Sequence, residues 1–186
     1  MGTFNVMECA REFEVDHLLM ASTSSAYGAN TQMPFKETDK ADTQLTIYAA
    51  TKLASELIAH SQSHLYDIPT TMLRFFTVYG PWGRPDMAPW LFTDRILAGD
   101  PIDVFNGGDM ARDFTHVDDI VAGMAALLAV PPVKGEQVGA QDSLSPVAPF
   151  RVVNIGAQDP VQLMDFIAAI ETSSGRKATL NMLPMH

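Results

Sequence analysis

The residue types best suited to chemistry are a tyrosine and a lysine four apart in Tyr48-Ala49-Ala50-Thr51-Lys52. On a helix this spacing sets both side chains on one face. A lysine ammonium beside a phenol favours the phenolate, which gives a proton acceptor or donor usable near neutral pH. Such pairs also arise by chance in amphipathic helices. A second cluster is Ser22-Thr23-Ser24-Ser25-Ala26-Tyr27-Gly28, whose hydroxyls can hydrogen-bond a substrate hydroxyl or carboxylate, or simply build a turn or helix cap. Arg84, in Pro81-Trp82-Gly83-Arg84-Pro85, offers a charged planar fork matched to a carboxylate; its plain alternative is a surface arginine in a Pro/Gly loop.

Other constellations carry less. His116, Asp118 and Asp119 are metal-ligating types, but they stand where a helix starts and read as caps, so no metal site is expected. His60 and His64 share a helical face without a third ligand and read as solvent-facing. No Gly-x-Ser-x-Gly elbow is present, which argues against a serine hydrolase.

The elements that must position these groups follow from periodicity. Residues 1–14 read as helix, and His17 to Ala21 as a buried strand opening into the hydroxyl cluster. Gly28 to Asp42 is a loop. Leu45 to Tyr66 has helical spacing and is stopped by Pro69. Thr70 to Val78 reads as one strand, Trp90 to Leu97 as a helix closed by Gly99, and Ile102 to Phe105 as a short strand. Val117 to Val130 is an Ala/Leu-rich helix stopped by Pro131-Pro132, and Lys134 to Ala148 reads as a mobile surface loop. A strand over Phe150 to Ile155, a helix over Val161 to Ser174 and a strand over Lys177 to Leu183 complete the chain. Strands alternating with helices predict an α/β fold with a parallel sheet, with ligands at the carboxyl ends of the strands.

Composition sets the bounds. The chain has 186 residues, 47% hydrophobic and 18% charged, as in an ordinary globular protein. The net charge of −10, with few and scattered basic residues, argues against nucleic acid as a partner. No apolar run is long enough to cross a membrane, and no signal peptide is visible. One cysteine, Cys9, excludes an internal disulfide framework and makes a cytoplasmic location the expectation.

Taken together, Thr23 four residues before Tyr27 of the Tyr-Gly pair, followed by the Tyr48/Lys52 helix, resemble the extended short-chain dehydrogenase/reductase family, the NAD-dependent epimerases and dehydratases. The blocks Leu73-Arg74-Phe75-Phe76-Thr77-Val78-Tyr79-Gly80-Pro81-Trp82-Gly83-Arg84-Pro85-Asp86 and Arg112-Asp113-Phe114-Thr115-His116-Val117-Asp118-Asp119-Ile120 look like its UDP-glucuronate 4-epimerase branch. Arg151-Val152-Val153-Asn154-Ile155-Gly156 and Asn181-Met182-Leu183-Pro184-Met185 are similar to its later blocks.

The resemblance implies a Rossmann-like, doubly wound parallel sheet with a small substrate-binding part. Residues 1–80 would be the later part of the NAD-binding domain and residues 81–186 would mix substrate-binding segments with returning sheet elements. It further implies that Tyr48 takes the proton from the C4 hydroxyl of a UDP-sugar as hydride passes to NAD+. Lys52 would hold the nicotinamide ribose, Thr23 would hydrogen-bond the C4 oxygen, and Phe75 would either join the core or pack near the nicotinamide. The 4-keto sugar would turn over and take the hydride back on its other face. Ser24, Ser25, Thr77 and Arg84 would surround the glucuronate carboxylate, and Arg112 would contact the UDP diphosphate rather than pair with Asp113 or Asp118. A homodimer through the helix over Leu45 to Tyr66 is also implied, as is a supply of capsule or lipopolysaccharide sugars.

The family's Gly-x-x-Gly-x-x-Gly turn and its ribose-gripping acidic residue are not in this sequence, so a truncated cofactor fold is expected. Two alternatives remain open: another nucleotide-sugar epimerase, dehydratase or decarboxylase, and an inactive binding fragment. Ser24-Ser25, standing where a dehydratase usually carries an Asp-Glu pair, counts against that activity.

Overall fold

The computed structural model describes residues 2–184. In chain order its elements are α1 (Gly2–Glu12), β1 (Leu18–Thr23), α2 (Ile47–Tyr66), β2 (Thr70–Phe75), β3 (Thr77–Tyr79), α3 (Ala88–Ala98), β4 (Pro101–Phe105), β5 (Ala111–His116), α4 (Val117–Leu128), β6 (Phe150–Ile155), β7 (Pro160–Gln162), α5 (Leu163–Ser174) and β8 (Thr179–Leu183). Contacts divide the chain into two interleaved units: residues up to 76 together with 119–155, and 77–118 together with residues from 156 on.

The first unit is built on three parallel strands in the order β1-β2-β6. Their register sets Thr23, Phe75 and Ile155 side by side at the carboxyl ends. Parallel neighbours need a long crossover, and the β1-to-β2 crossover contains α2. That helix is rich in Ala and Leu, both strong helix formers. Thr46 caps its start by accepting from the Ala49 amide at 3.1 Å, and Asp67 ends it in the left-handed region at φ 54°. Met7, Ala59, Met72, Ala148 and Phe150 form the core between α1, α2 and the sheet.

The second unit holds a three-stranded sheet, β3-β5-β7, and a parallel pair, β4-β8. β3 runs parallel to β5, and β7 antiparallel to it. Its core is Phe92, Ile96, Ile102, Val104 and Ile167, where α3 and α5 pack beside β4.

Four expectations change. The run over residues 70–78 is two strands. The chain stays with the first sheet through Phe76, whose amide donates to the Ile155 carbonyl at 3.1 Å, and then changes partner to β5. Hydrophobic pattern reports burial and not the identity of the neighbour, so the switch leaves no trace in the sequence. β5 itself was hidden because Arg112, Asp113 and His116 interrupt any apolar alternation. The last helix starts at Leu163, since residues 160–162 are spent pairing with β5.

The fourth change concerns the Lys134 to Ala148 loop and the two histidines. Its first half is exposed, but Leu144, Ser145 and Ala148 are buried. Asp142 takes both Arg151 Nε (2.8 Å) and Nη2 (3.0 Å), and it also accepts from the Val138 and Leu144 amides. His60 and His64 are not simply solvent-facing. His60 Nε2 meets Ser145 Oγ at 2.8 Å and its ring stands edge-on to Phe150, while His64 Nδ1 lies 2.8 Å from the Val147 carbonyl. Burial, and then the proximity of His64, lower the His60 pKa below the ordinary histidine value.

A histidine whose folded pKa is lowered stabilises the fold above its unfolded pKa of about 6.5, and loses that contribution as pH falls below it. Acidification from about pH 7.5 to 5.5 should therefore lower the amide protection factors, corrected for the intrinsic pH dependence of exchange, across residues 143–148, and His60→Gln should flatten that response. Unchanged protection factors in the wild type over this range would contradict the histidine tie.

Candidate active site

In the first unit, the strand ends gather the hydroxyl cluster and the Tyr/Lys pair. β1 ends at Thr23, and residues 24–27 turn at once into a short 3-10 helix. Thr23 is buried, and its Oγ1 accepts from the Ser25 amide at 3.2 Å, so the turn's first orphan donor is met by the residue that precedes it. Ser24 is half-buried and Ser25 exposed. Gly28 closes the turn at φ 59°, and a Cβ there would sit 2.1 Å from the Thr43 carbonyl oxygen. The returning loop thus presses directly on the end of the hydroxyl cluster, and only glycine leaves it room.

Tyr48, Lys52 and Glu56 form one stripe along α2, spaced four and four. The stripe passes from solvent into the core: Tyr48 is 54% exposed, Lys52 half-buried, and Glu56 4% exposed. Lys52 Nζ donates to the Ala21 carbonyl at 3.3 Å, two residues before Thr23. Phe75, half-buried, is the register neighbour of Thr23.

Below these groups lies a buried polar network that the spacing of Tyr48 and Lys52 does not announce. Arg74 donates to Glu56 through Nε (3.0 Å) and Nη2 (2.7 Å), and the Ser22 hydroxyl donates to the same carboxylate. The Arg74 guanidinium stacks 4.6 Å from the Tyr27 ring centre. The Tyr27 hydroxyl donates to Asn154 Oδ1 at 2.7 Å, and its ring stacks on Phe35 at 4.4 Å. Burial disfavours charge on Arg74, but the Glu56 carboxylate outweighs it and raises the Arg74 pKa. Burial also raises the Tyr27 pKa, against the lowering influence of Arg74, so Tyr27 keeps its proton at neutral pH. The sequence signal was an arginine within an apolar strand, a residue type almost never buried unless paired.

In the second unit, Thr77 and Arg112 line one cavity of about 330 Å³ with Met87, Phe92, Arg95 and Phe105. The walls are largely apolar and carry two arginines, Arg95 and Arg112, and one carboxylate, Asp103. Arg112 is exposed, and its Nη1 donates to the Ala111 carbonyl at 2.9 Å. Asp113 is engaged elsewhere, accepting the Ala157 and Gln158 amides at 2.9 Å each. Asp118 stands 3.5 Å from His116 Nδ1. Arg84 lies in the exposed loop before α3, outside the cavity lining, and forms a two-pronged pair with Asp86 at 3.0 and 2.5 Å. The hydrogen bond from Arg84 holds the Asp86 carboxyl below the usual carboxylate range.

Residues 1–139 match the profile of the NAD dependent epimerase/dehydratase family. The chain belongs to that family. Among the relatives of this epimerase/dehydratase chain is a "Probable UDP-glucuronate 4-epimerase" of Rhizobium meliloti, 53% identical over the whole of this chain and 55% of that protein. Another is "Protein CapI" of Staphylococcus aureus, 50% identical over the whole of this chain and 56% of that protein. A crystal structure of UDP-glucuronic acid 4-epimerase from Bacillus cereus in complex with NAD superposes on 99% of this chain and 55% of its own, with a TM-score of 0.83 at 32% identity. The chain thus spans about half the length of the relatives it matches. Like them it is a mixed α/β structure with parallel, Rossmann-like strand pairing. Among the described residues no helix is long and apolar enough to cross a membrane.

Gly28→Ala should cost about 1–3 kcal/mol from the left-handed backbone alone. The clash with the Thr43 carbonyl adds to that, and chemical denaturation measures the sum. A variant as stable as the parent would show that the 28–43 contact does not hold the turn.

Proposed function

We propose that the protein catalyses NAD-dependent epimerisation at C4 of a UDP-sugar, converting UDP-glucuronate to UDP-galacturonate. The observation that carries this reading is the meeting of the Tyr48/Lys52 helix with the hydroxyl-rich end of β1, where Lys52 reaches the Ala21 carbonyl beside Thr23. The epimerase relatives support the choice of reaction.

The residues present fit the nicotinamide end of NAD. A solvent-reaching tyrosine and a lysine share one helical face at the carboxyl ends of a parallel sheet, with Phe75 beside Thr23. In this reading residues 1–80 would be the later part of the NAD-binding domain, and residues 81–186 would mix substrate-binding segments with returning sheet elements. Lys52 and Tyr48 would hold the nicotinamide ribose, and NAD+ supplies a reversible hydride acceptor when bound.

The chain's own groups manage the proton and the substrate's orientation. Tyr48 Oη accepts the proton of the C4 hydroxyl and returns it after the ring has turned over as the 4-keto sugar. Lys52, held by the Ala21 carbonyl, presents its positive charge on the helical face that carries Tyr48. The Thr23 hydroxyl holds the C4 oxygen. The apolar, two-arginine cavity suits a nucleotide, with the base against Phe92 and Phe105 and Arg112 at the diphosphate. By resemblance to the epimerases, Ser24 and Ser25 of the first unit and Thr77 and Arg84 of the second are each candidate carboxylate ligands, with Arg84 exchanging or sharing its Asp86 partner. The exposed Ile47, Leu57 and Leu65 along α2, with Leu45 just before it, support a homodimer through that helix.

Incubation of the native protein with NAD+ and UDP-glucuronate should give UDP-galacturonate by chromatography, with no product from UDP-glucose. Tyr48→Phe should lower kcat by about 10²–10⁴-fold, the range of a positioned proton-transfer group. Arg84→Ala should raise KM for UDP-glucuronate more than it lowers kcat. A Tyr48→Phe protein with full turnover, or equal turnover of UDP-glucose, would overturn the reading.

A further inference from the structure

Glu56 and Arg74 are both 4% exposed and bind each other through two hydrogen bonds, 3.0 and 2.7 Å long. Burying two charges costs desolvation that a buried pair does not reliably recover, so such a pair fixes geometry better than it adds stability. Its location shows what is fixed. Glu56 is one helical turn beyond Lys52 and two beyond Tyr48, on the same stripe of α2. Arg74 projects from β2 at the register position opposite Ser22 of β1 and Asn154 of β6. Ser22 directly precedes Thr23 and gives its hydroxyl hydrogen to Glu56.

The two consecutive turns of α2 that carry Lys52 and Glu56 are therefore each tied to consecutive residues of β1. Lys52 is bonded to the Ala21 carbonyl and Glu56 to the Ser22 hydroxyl. Two ties one turn apart determine both the height of the helix along the strand and its rotation about its own axis. Tyr27, stacked against the Arg74 guanidinium and bonded to Asn154, extends the same lock to the 3-10 turn that bears Ser24 and Ser25.

We propose that the Glu56 carboxylate, gripped by Arg74 and Ser22, is a positioning group that sets Tyr48 and Lys52 against Thr23. This rests on the reading of those three residues as catalytic. Glu56 does not touch the reacting atoms. It acts through the helix it anchors, and a misplacement of about 1 Å in such a helix costs about 10²-fold in rate.

The test compares Glu56→Gln, Ser22→Ala and Tyr48→Phe in the native protein loaded with NAD+. It measures kcat and KM for UDP-glucuronate and, separately, amide hydrogen exchange. Glu56→Gln should lower kcat by about 10²-fold with KM within about twofold. It should speed exchange in residues 20–28 and 46–56 while leaving residues 88–118 as in the wild type. Ser22→Ala, which removes one hydroxyl and leaves the ion pair whole, should shift kcat and the same two segments in the same direction by less. It decides the matter if Glu56→Gln does not fold. Wild-type kcat and exchange in Ser22→Ala, or a uniform rise in exchange throughout with kcat and KM changing alike, would overturn the proposal. Tyr48→Phe separates the two ideas. Full activity there defeats the catalytic reading, while localised exchange changes in the other two variants would still establish the positioning of α2.

Discussion

Parallel pairing of β1, β2 and β6 is the constraint on which the first unit depends. Antiparallel neighbours can be joined by a tight turn, but parallel neighbours require the chain to travel back along the sheet first. The return from β1 to β2 contains α2, and with it Tyr48 and Lys52. The same pairing puts all three carboxyl ends on one side, so Thr23, Phe75 and Ile155 finish in a row. Backbone hydrogen bonding thereby sets the hydroxyl cluster at the carboxyl ends of the strands.

Side chains then refine that placement at an energetic cost. Glu56, Arg74 and Ser22 replace water with one another in the interior. Removing one partner of such a pair leaves an uncompensated buried charge, at about 3–5 kcal/mol. An apolar trio could fill the space, but it would not distinguish one rotation of α2 from another. Directional, charged hydrogen bonds do distinguish them, and they lie one helical turn from Lys52. The exposed half of the stripe is where a small molecule can reach the tyrosine, and the buried half is where the helix is held.

The second unit has a different chemistry. Its cavity is walled by Met87, Phe92 and Phe105 and carries Arg95 and Arg112, a combination suited to an apolar base joined to an anionic chain. The Arg84–Asp86 pair keeps an exposed cation oriented in a Pro/Gly loop.

The sequence by itself determined the α/β class, the helix over Ile47–Tyr66, the strand Phe150–Ile155 and the family, because these are recorded in local periodicity, caps and motif spacing. The Tyr48/Lys52 face was readable for the same reason: a spacing of four is a property of one helix. Only the tertiary structure decided what depends on residues far apart in the chain. It divided residues 70–79 between two sheets and returned residues 119–155 to the first unit. It turned Leu144, Ser145 and Ala148 inward under two histidines of α2, and it joined Glu56 to Arg74 and Ser22 across separations of 18 and 34 residues. Partner identity is invisible to hydrophobic pattern, which records whether a residue is buried but not which group it is buried against.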